Sequence, residues 1–101
     1  MPSKALSLLG MARRAGKIAW IEDANLAAIR SGQAKLLLLA GDAGDAVAKK
    51  YRNKSKSYGV PIFVIANKNE LGRALGTSPR AAITVLDDGF AKRLHELLTI
   101  V

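Results

Sequence analysis

The stretch VPIFVIANKNELGRALG, Val60 to Gly76, decides the fold. Val60 to Ile65 is a short apolar run rich in β-branched residues, with Pro61 near its start. It predicts a buried strand, since a proline at the first strand position removes no ladder donor. Asn67 stands three residues before Glu70, the spacing of a helix N-cap and its capping-box partner. Leu71, Ala74 and Leu75 give the following helix one apolar face, and Gly76 can end it in the left-handed conformation. A strand that passes straight into a capped helix is the unit of an α/β fold. Ligands collect at such carboxyl ends, although a plain connection has the same shape.

Working outward, Lys35 to Ala40 (KLLLLA) is a continuous apolar run too short for a lone helix, so it fits a central strand buried on both faces. The GDAGD that follows has neither G-x-G-x-x-G nor a P-loop ending, and Asp42 and Asp45 read as turn and N-cap residues. Asp45 to Tyr58 predicts a helix with Val47, Tyr51, Lys54 and Tyr58 on one stripe and Lys49, Lys50, Arg52 and Lys56 on its basic face. Upstream, Glu22 or Asp23 opens a helix to Ser31, with Ile21 as a staple, Leu26 and Ile29 inward, and Gly32 as stop. Lys17 to Trp20 predicts a short strand. Lys4 to Ala15 predicts a first helix, capped by Ser3 and stopped by Gly16, with Ala5, Leu8, Leu9 and Ala12 inward. Arg13, Arg14 and Lys17 crowd its end, either complementing the helix dipole or clamping a phosphate. Downstream, Thr77 to Arg80 is a polar loop and Ala82 to Leu86 a strand. Asp87 or Asp88 caps a last helix that turns Phe90, Leu94, Leu97 and Leu98 inward, with His95 at the surface. The alternation predicts an α/β fold, helices on both faces of a small, largely parallel or mixed sheet.

Bulk composition narrows the function. With 101 residues the chain makes a single domain. Half the residues are hydrophobic, which argues against disorder. Sixteen Lys and Arg against eight Asp and Glu give a formal net charge of +8 and a pI near 10.2, which suits a polyanion, nucleic acid first and a membrane surface second. There is no cysteine and a single histidine, so neither a thiol nucleophile nor a metal site is expected. The first residues lack a secretory h-region, and no apolar run is long enough to span a bilayer, so a cytoplasmic location is expected. No catalytic triad, paired carboxylates or cofactor fingerprint is present; the expectation is a protein that is not an enzyme and carries no cofactor.

Three segments, LLGMARRAGKI (Leu8 to Ile18), SGQAKLLLLAGDA (Ser31 to Ala43) and VPIFVIANKNELGRALG, resemble the ribosomal L-seven-Ae / L-thirty-e family of RNA-binding proteins, most closely its small bacterial members. The resemblance covers nearly the whole chain. It implies a three-layer α/β/α sandwich with a small mixed four-stranded sheet, and non-catalytic binding of kink-turn RNA, a bent internal loop closed by tandem sheared G·A pairs. It further implies a place in the ribosome or another ribonucleoprotein, with structured RNA and ribosomal or ribonucleoprotein proteins as partners, no membrane, and a monomeric chain. The family's Gly-x-Asn-Glu motif and the lysine three residues on fall by register on Ile21, Asp23, Ala24 and Ala27, none of which keeps the family residue. Lys17 does match. The second family contact, mostly apolar in relatives, falls on Thr77, Ser78, Pro79 and Arg80, where Arg80 can stack on a base or pair with phosphate.

The expected RNA face therefore comprises Lys17, Ile21, Glu22, Asp23, Ala24, Asn25, Ala27 and Thr77 to Arg80, with Arg13 and Arg14 on peripheral phosphates. The alternative is a protein-interaction module that has lost kink-turn recognition and uses Trp20 and Ile21 as an apolar spot. A basic membrane-surface protein is a third option.

Overall fold

The computed structural model describes residues 3–99. The elements run α1 (Ser3–Arg14), β1 (Ile18–Ala19), α2 (Glu22–Arg30), β2 (Leu36–Ala40), α3 (Asp45–Tyr58), β3 (Ile62–Ile65), α4 (Lys68–Leu75), β4 (Ala82–Val85) and α5 (Asp88–Thr99). The four strands form one mixed sheet in the order β1-β4-β2-β3. β2 pairs parallel with β3 and antiparallel with β4, which in turn pairs antiparallel with β1.

The LLLLA run explains the layers. Successive strand residues point to opposite faces. Leu36, Leu38 and Ala40 pack with Ala5, Leu9, Ala12, Leu71, Leu75, Ala91 and Leu94, so α1, α4 and α5 cover that side. Leu37 and Leu39 pack with Ala28, Ile29 and Tyr51, so α2 and α3 cover the other. All five β2 residues are buried, which is why the run is apolar throughout rather than alternating. The α/β/α sandwich with a mixed four-stranded sheet implied by the resemblance is the one observed.

The strand-to-helix junction forms as its spacing predicts. The Asn67 side chain accepts from the Glu70 N–H at 2.8 Å. The Glu70 carboxylate reaches back to the Asn67 amide nitrogen, also at 2.8 Å, rather than to the backbone. The junction is tied to the end of β2, since the Gly41 N–H donates to the Ala66 carbonyl at 3.0 Å and the Lys68 N–H donates to Asp42 Oδ1 at 2.8 Å. Asp42 is thus a turn residue, as expected, and also a cap for α4. Gly44, not Asp45, holds the N-cap position of α3.

Other local expectations are corrected. β3 lies at the sheet edge, so Ile62 and Phe63 are only half-buried and Val64 is 49% exposed. A strand with one hydrogen-bonded neighbour cannot be enclosed as β2 is. Phe63 is met edge-on by the exposed His95 ring of α5, centroids 5.2 Å apart. Tyr58, the last residue of α3, is 47% exposed. Ile21 is itself the N-cap residue of α2 and 57% exposed, so it staples nothing. The capping role of Ser3 and the termini beyond 3–99 lie outside the described residues, Ser3 by its side chain only. Asp87 caps α5, accepting from the Phe90 N–H at 2.9 Å.

The two-sided burial of β2 predicts a sharp contrast. Leu38→Ala should lower unfolding free energy by about 2–5 kcal/mol, as deletions of fully buried leucines do. Val64→Thr, at the open edge, should change it by less than about 0.5 kcal/mol. Urea unfolding followed by circular dichroism measures both; equal costs would contradict the layer assignment.

Candidate nucleic-acid interface

Two segments remote in sequence meet beside β1. The first is the start of α2. Ile21 offers no side-chain oxygen to the first-turn N–H groups, and no side-chain cap bond forms there. Glu22 and Asp23 supply the negative charge that a helix start favours. Glu22 forms an ion pair with Lys50 of α3, and this carboxylate, first by its hydrogen bond and then by its charge, raises the Lys50 pKa above 10.5.

The second segment is the Thr77–Arg80 loop. The Thr77 N–H donates to the Gly72 carbonyl at 2.8 Å, and the Arg80 N–H donates to the Lys68 carbonyl at 3.1 Å, so the loop doubles back along α4. Arg80 Nε donates to the Ser78 carbonyl at 3.1 Å, which holds the guanidinium over its own loop. The fold depends on Gly72 here. A Cβ at this position would lie 2.3 Å from the Ser78 oxygen and 2.8 Å from Pro79 Cα, so only glycine lets the loop lie against the helix.

Between the segments lies a cleft of about 180 Å³, bordered by Trp20, Glu22, Pro79 and Arg80 and walled by Val47 and Tyr51 of α3. The Arg13 guanidinium carbon stacks over the Trp20 ring, 4.8 Å from its centroid. Arg80 and Glu22, the latter paired with Lys50, are the charged residues of the cleft lining, and Arg13 adds a cation on the Trp20 ring at its border.

The structure divides the residues expected on one face. Glu22, Pro79 and Arg80 share the cleft. Ile21, Ala24 and Ala27 instead line a separate groove of about 550 Å³ on the other side of Trp20, together with Leu86 and Ser31, and no charged residue lines it. Asp23 is exposed beside them and Lys17 is exposed at the start of β1. Arg14 lines a third groove, between α1 and α4, with Glu70 and Arg73. Thr77 and Ser78 lie in the loop, the former half-buried.

Asn25 departs from expectation most clearly. It is 1% exposed and lies at the floor of the cleft, its polar atoms taken up by protein partners. Its amide nitrogen donates to the Tyr51 hydroxyl and the Ala82 carbonyl, each at 3.3 Å, and its oxygen accepts from Thr84 Oγ1 at 2.9 Å. It locks α2 to α3 and β4 beneath the cleft. Its spacing from Ala28 and Ile29, three and four residues on, places it on the buried stripe of α2, a signal present in the sequence. Burial raises the Tyr51 pKa above 10.0, opposed by the bond from Asn25. Sequence reasoning also missed Val47 and Tyr51 as cleft walls, because no pattern in α3 tells which helix it will face.

The comparisons with known proteins agree with this architecture. The model of the ribosomal protein L7Ae/L30e/S12e/Gadd45 family matches residues 3–95. The chain is 39% identical over 95 residues to RNA-binding protein YlxQ of Enterococcus faecium, covering 94% of this chain and 91% of that one. It is 42% identical over 91 residues to RNA-binding protein YlxQ of Bacillus subtilis (strain 168), covering 90% and 91%. Among solved structures it is similar to a protein with unknown function from Bacillus halodurans C, with TM-score 0.92, 40% identity and coverage of 96% and 98%. It is also similar to the Giardia lamblia 15.5kD RNA binding protein, with TM-score 0.77, 25% identity and coverage of 92% and 80%.

Two outcomes test the site's construction. Gly72→Ala should force the Thr77–Arg80 loop off α4 at a cost of about 1–3 kcal/mol; an unchanged melting temperature and unchanged loop amide shifts would exclude the close approach. The raised Tyr51 pKa makes the folded state hold its phenol proton above pH 10.0, where the unfolded chain releases it. Its contribution is therefore complete below that pH and lost as pH rises through the folded value. Tyr51→Phe should lower stability at neutral pH by about 0.5–1.5 kcal/mol through the lost Asn25 partner, and blunt the alkaline decline. Urea titrations at a series of alkaline pH values read both effects.

Proposed function

This chain belongs to the ribosomal protein L7Ae/L30e/S12e/Gadd45 family, and we propose that it is a non-catalytic RNA-binding protein that holds structured, kink-turn-like RNA in the cleft between the start of α2 and the Thr77–Arg80 loop. The observation that carries this reading is the meeting of these two segments in one cleft, where Arg80 lines the same space as Trp20, the ring on which Arg13 stacks. Relatives that share most of the chain are named RNA-binding proteins. On this reading Lys17 and Arg14 contact flanking phosphates, and the protein works as a cytoplasmic monomer within a ribosomal or other ribonucleoprotein particle.

The residues at the kink-turn contact set the selectivity. Ala24 and Ala27 stand where the family has glutamate and lysine, so two base contacts are missing, each worth ~1–3 kcal/mol of discrimination. The protein should therefore prefer an intact kink-turn only modestly over the same RNA with its G·A pairs replaced.

A second reading follows from the uncharged groove of Trp20, Ile21, Ala24, Ala27 and Leu86, with Ile21 57% exposed. In it this side of α2 docks a protein partner instead of bases. Substituting Ala24→Glu, Ala27→Lys and Ile21→Gly together separates the two. The RNA reading expects the variant to gain selectivity for tandem G·A pairs; the protein-partner reading expects no gain.

Filter binding of kink-turn, G·A-replaced and plain duplex RNA across a salt series tests the proposal. Affinity should fall steeply with salt as counterions are released. Lys17→Ala should weaken binding to every RNA and reduce the salt slope by roughly one phosphate's worth. Salt-independent binding, or several-hundred-fold selectivity in the unmodified protein, would contradict this account.

A further inference from the structure

We propose that Arg13 is a positioning residue: its guanidinium latches the C-terminal end of α4, and with it the Thr77–Arg80 loop, to Trp20 at the opposite wall of the cleft. The consequence for RNA rests on the function proposed above; the latch itself does not.

The geometry gives Arg13 two simultaneous tasks. Its Nη1 donates to the Leu75 carbonyl at 2.6 Å, across 62 positions of sequence. Its guanidinium carbon lies 4.8 Å from the Trp20 ring centroid. The Leu75 carbonyl belongs to the last turn of α4, whose carbonyls lack intrahelical partners. The neighbouring Gly72 and Arg73 carbonyls accept from the Thr77 and Gly76 N–H groups, and the Leu75 oxygen receives Arg13 instead. Gly76 closes the helix at φ 76°, and a Cβ there would lie in ordinary contact distance, 3.6 Å, of the same Nη1, so the guanidinium sits against the helix end.

Electrostatics reinforce the latch. Arg13 is in the last turn of α1 and binds the last turn of α4, so one cation faces the negative ends of two helices. A lysine cannot substitute. Its ammonium is a point charge, whereas the planar guanidinium donates in its plane while stacking through its face. The neighbouring Arg14, which lines the separate α1–α4 groove, bears no such contact to Trp20 in the structure.

A latch and a phosphate contact predict different results for a conservative change. Trp20 is the single tryptophan, so its fluorescence reports the latch in the free, full-length protein. In Arg13→Lys and Arg13→Ala, acrylamide should quench Trp20 more strongly, and the Gly76 and Thr77 amides should exchange hydrogen faster. Kink-turn RNA affinity should fall about tenfold in both, the worth of one cation–π contact or hydrogen bond, with the salt slope unchanged. Trp20→Leu, which removes the other half of the latch, should accelerate the same amides. Native binding by Arg13→Lys with a flattened slope in Arg13→Ala would make Arg13 a phosphate ligand and overturn the proposal. Unchanged quenching and unchanged exchange in all variants would overturn it in the free protein. If the native protein binds no RNA at any salt, the RNA reading fails, while the quenching and exchange data still decide the latch.

Discussion

The structure depends on the enclosure of β2 from both sides. Leu36, Leu37, Leu38, Leu39 and Ala40 are each at most 2% exposed, so neither helical layer can be removed without opening the centre of the sheet to water. Because β2 is parallel to β3, the chain needs a crossover between them, and α3 provides it. Because β4 is antiparallel to β2, α4 and its following loop must bring the chain back to the end at which β2 leaves the sheet. The position of the Thr77–Arg80 loop is thus a consequence of how β2 is buried. The cleft inherits that position, as the Ala40 N–H donates to the Ala81 carbonyl at 2.8 Å, immediately after the loop.

Polar contacts then refine what burial establishes. Asn25 sits between Tyr51, Ala82 and Thr84, and no buried side-chain nitrogen or oxygen lacks a partner among the described residues. An unsatisfied buried amide would cost about 1–3 kcal/mol, so each partner constrains where α2 can lie on the sheet. α2 itself is short and lacks a side-chain cap, and its first turn relies on acids and on the Glu22–Lys50 pair. The exposed pair contributes direction more than stability. Two-sided burial fixes the sheet, the Asn25 cluster fixes α2, and Gly72 fixes the loop.

Much of this was legible in the residues, for identifiable reasons. The KLLLLA run lacks alternation because both of its faces are covered. The Asn67–Glu70 spacing and Gly76 marked both ends of α4 because caps are local chemistry. The Asp45 to Tyr58 span of α3 is the observed one, although Gly44 rather than Asp45 holds its N-cap position. What failed depended on neighbours remote in sequence. An apolar strand such as IFVI does not disclose that it will lie at a sheet edge, and Val64 is left half in water. Asp42 carries no mark of the helix it caps, which begins 26 residues later. The RNA face expected as one surface is split because Trp20 stands between two grooves, a fact of side-chain packing that no spacing encodes. Asn25 belongs by position to the expected RNA face, yet its register with Ala28 and Ile29 puts it on the buried stripe of α2.

The division around Trp20 has a chemical consequence for any polyanion that this chain meets. The groove of Ile21, Ala24 and Ala27 has no charged residue in its lining and could meet an anion through neutral donors such as Ser31 and Gln33, beside the exposed Asp23. The cleft on the other side is lined by Arg80 and by Glu22, whose charge is opposed by Lys50. Of the two linings, that of the cleft alone carries a cation. The surplus of eight positive charges raises the attraction of the whole molecule but does not by itself orient a ligand. Orientation comes from the asymmetry between an uncharged groove and a cleft that carries Arg80, separated by a single indole. Ile21, Ala24 and Ala27 leave their side of α2 without a charged side chain in its groove. On the loop side the Arg80 guanidinium is already held by Ser78 and needs little reordering to meet an anion.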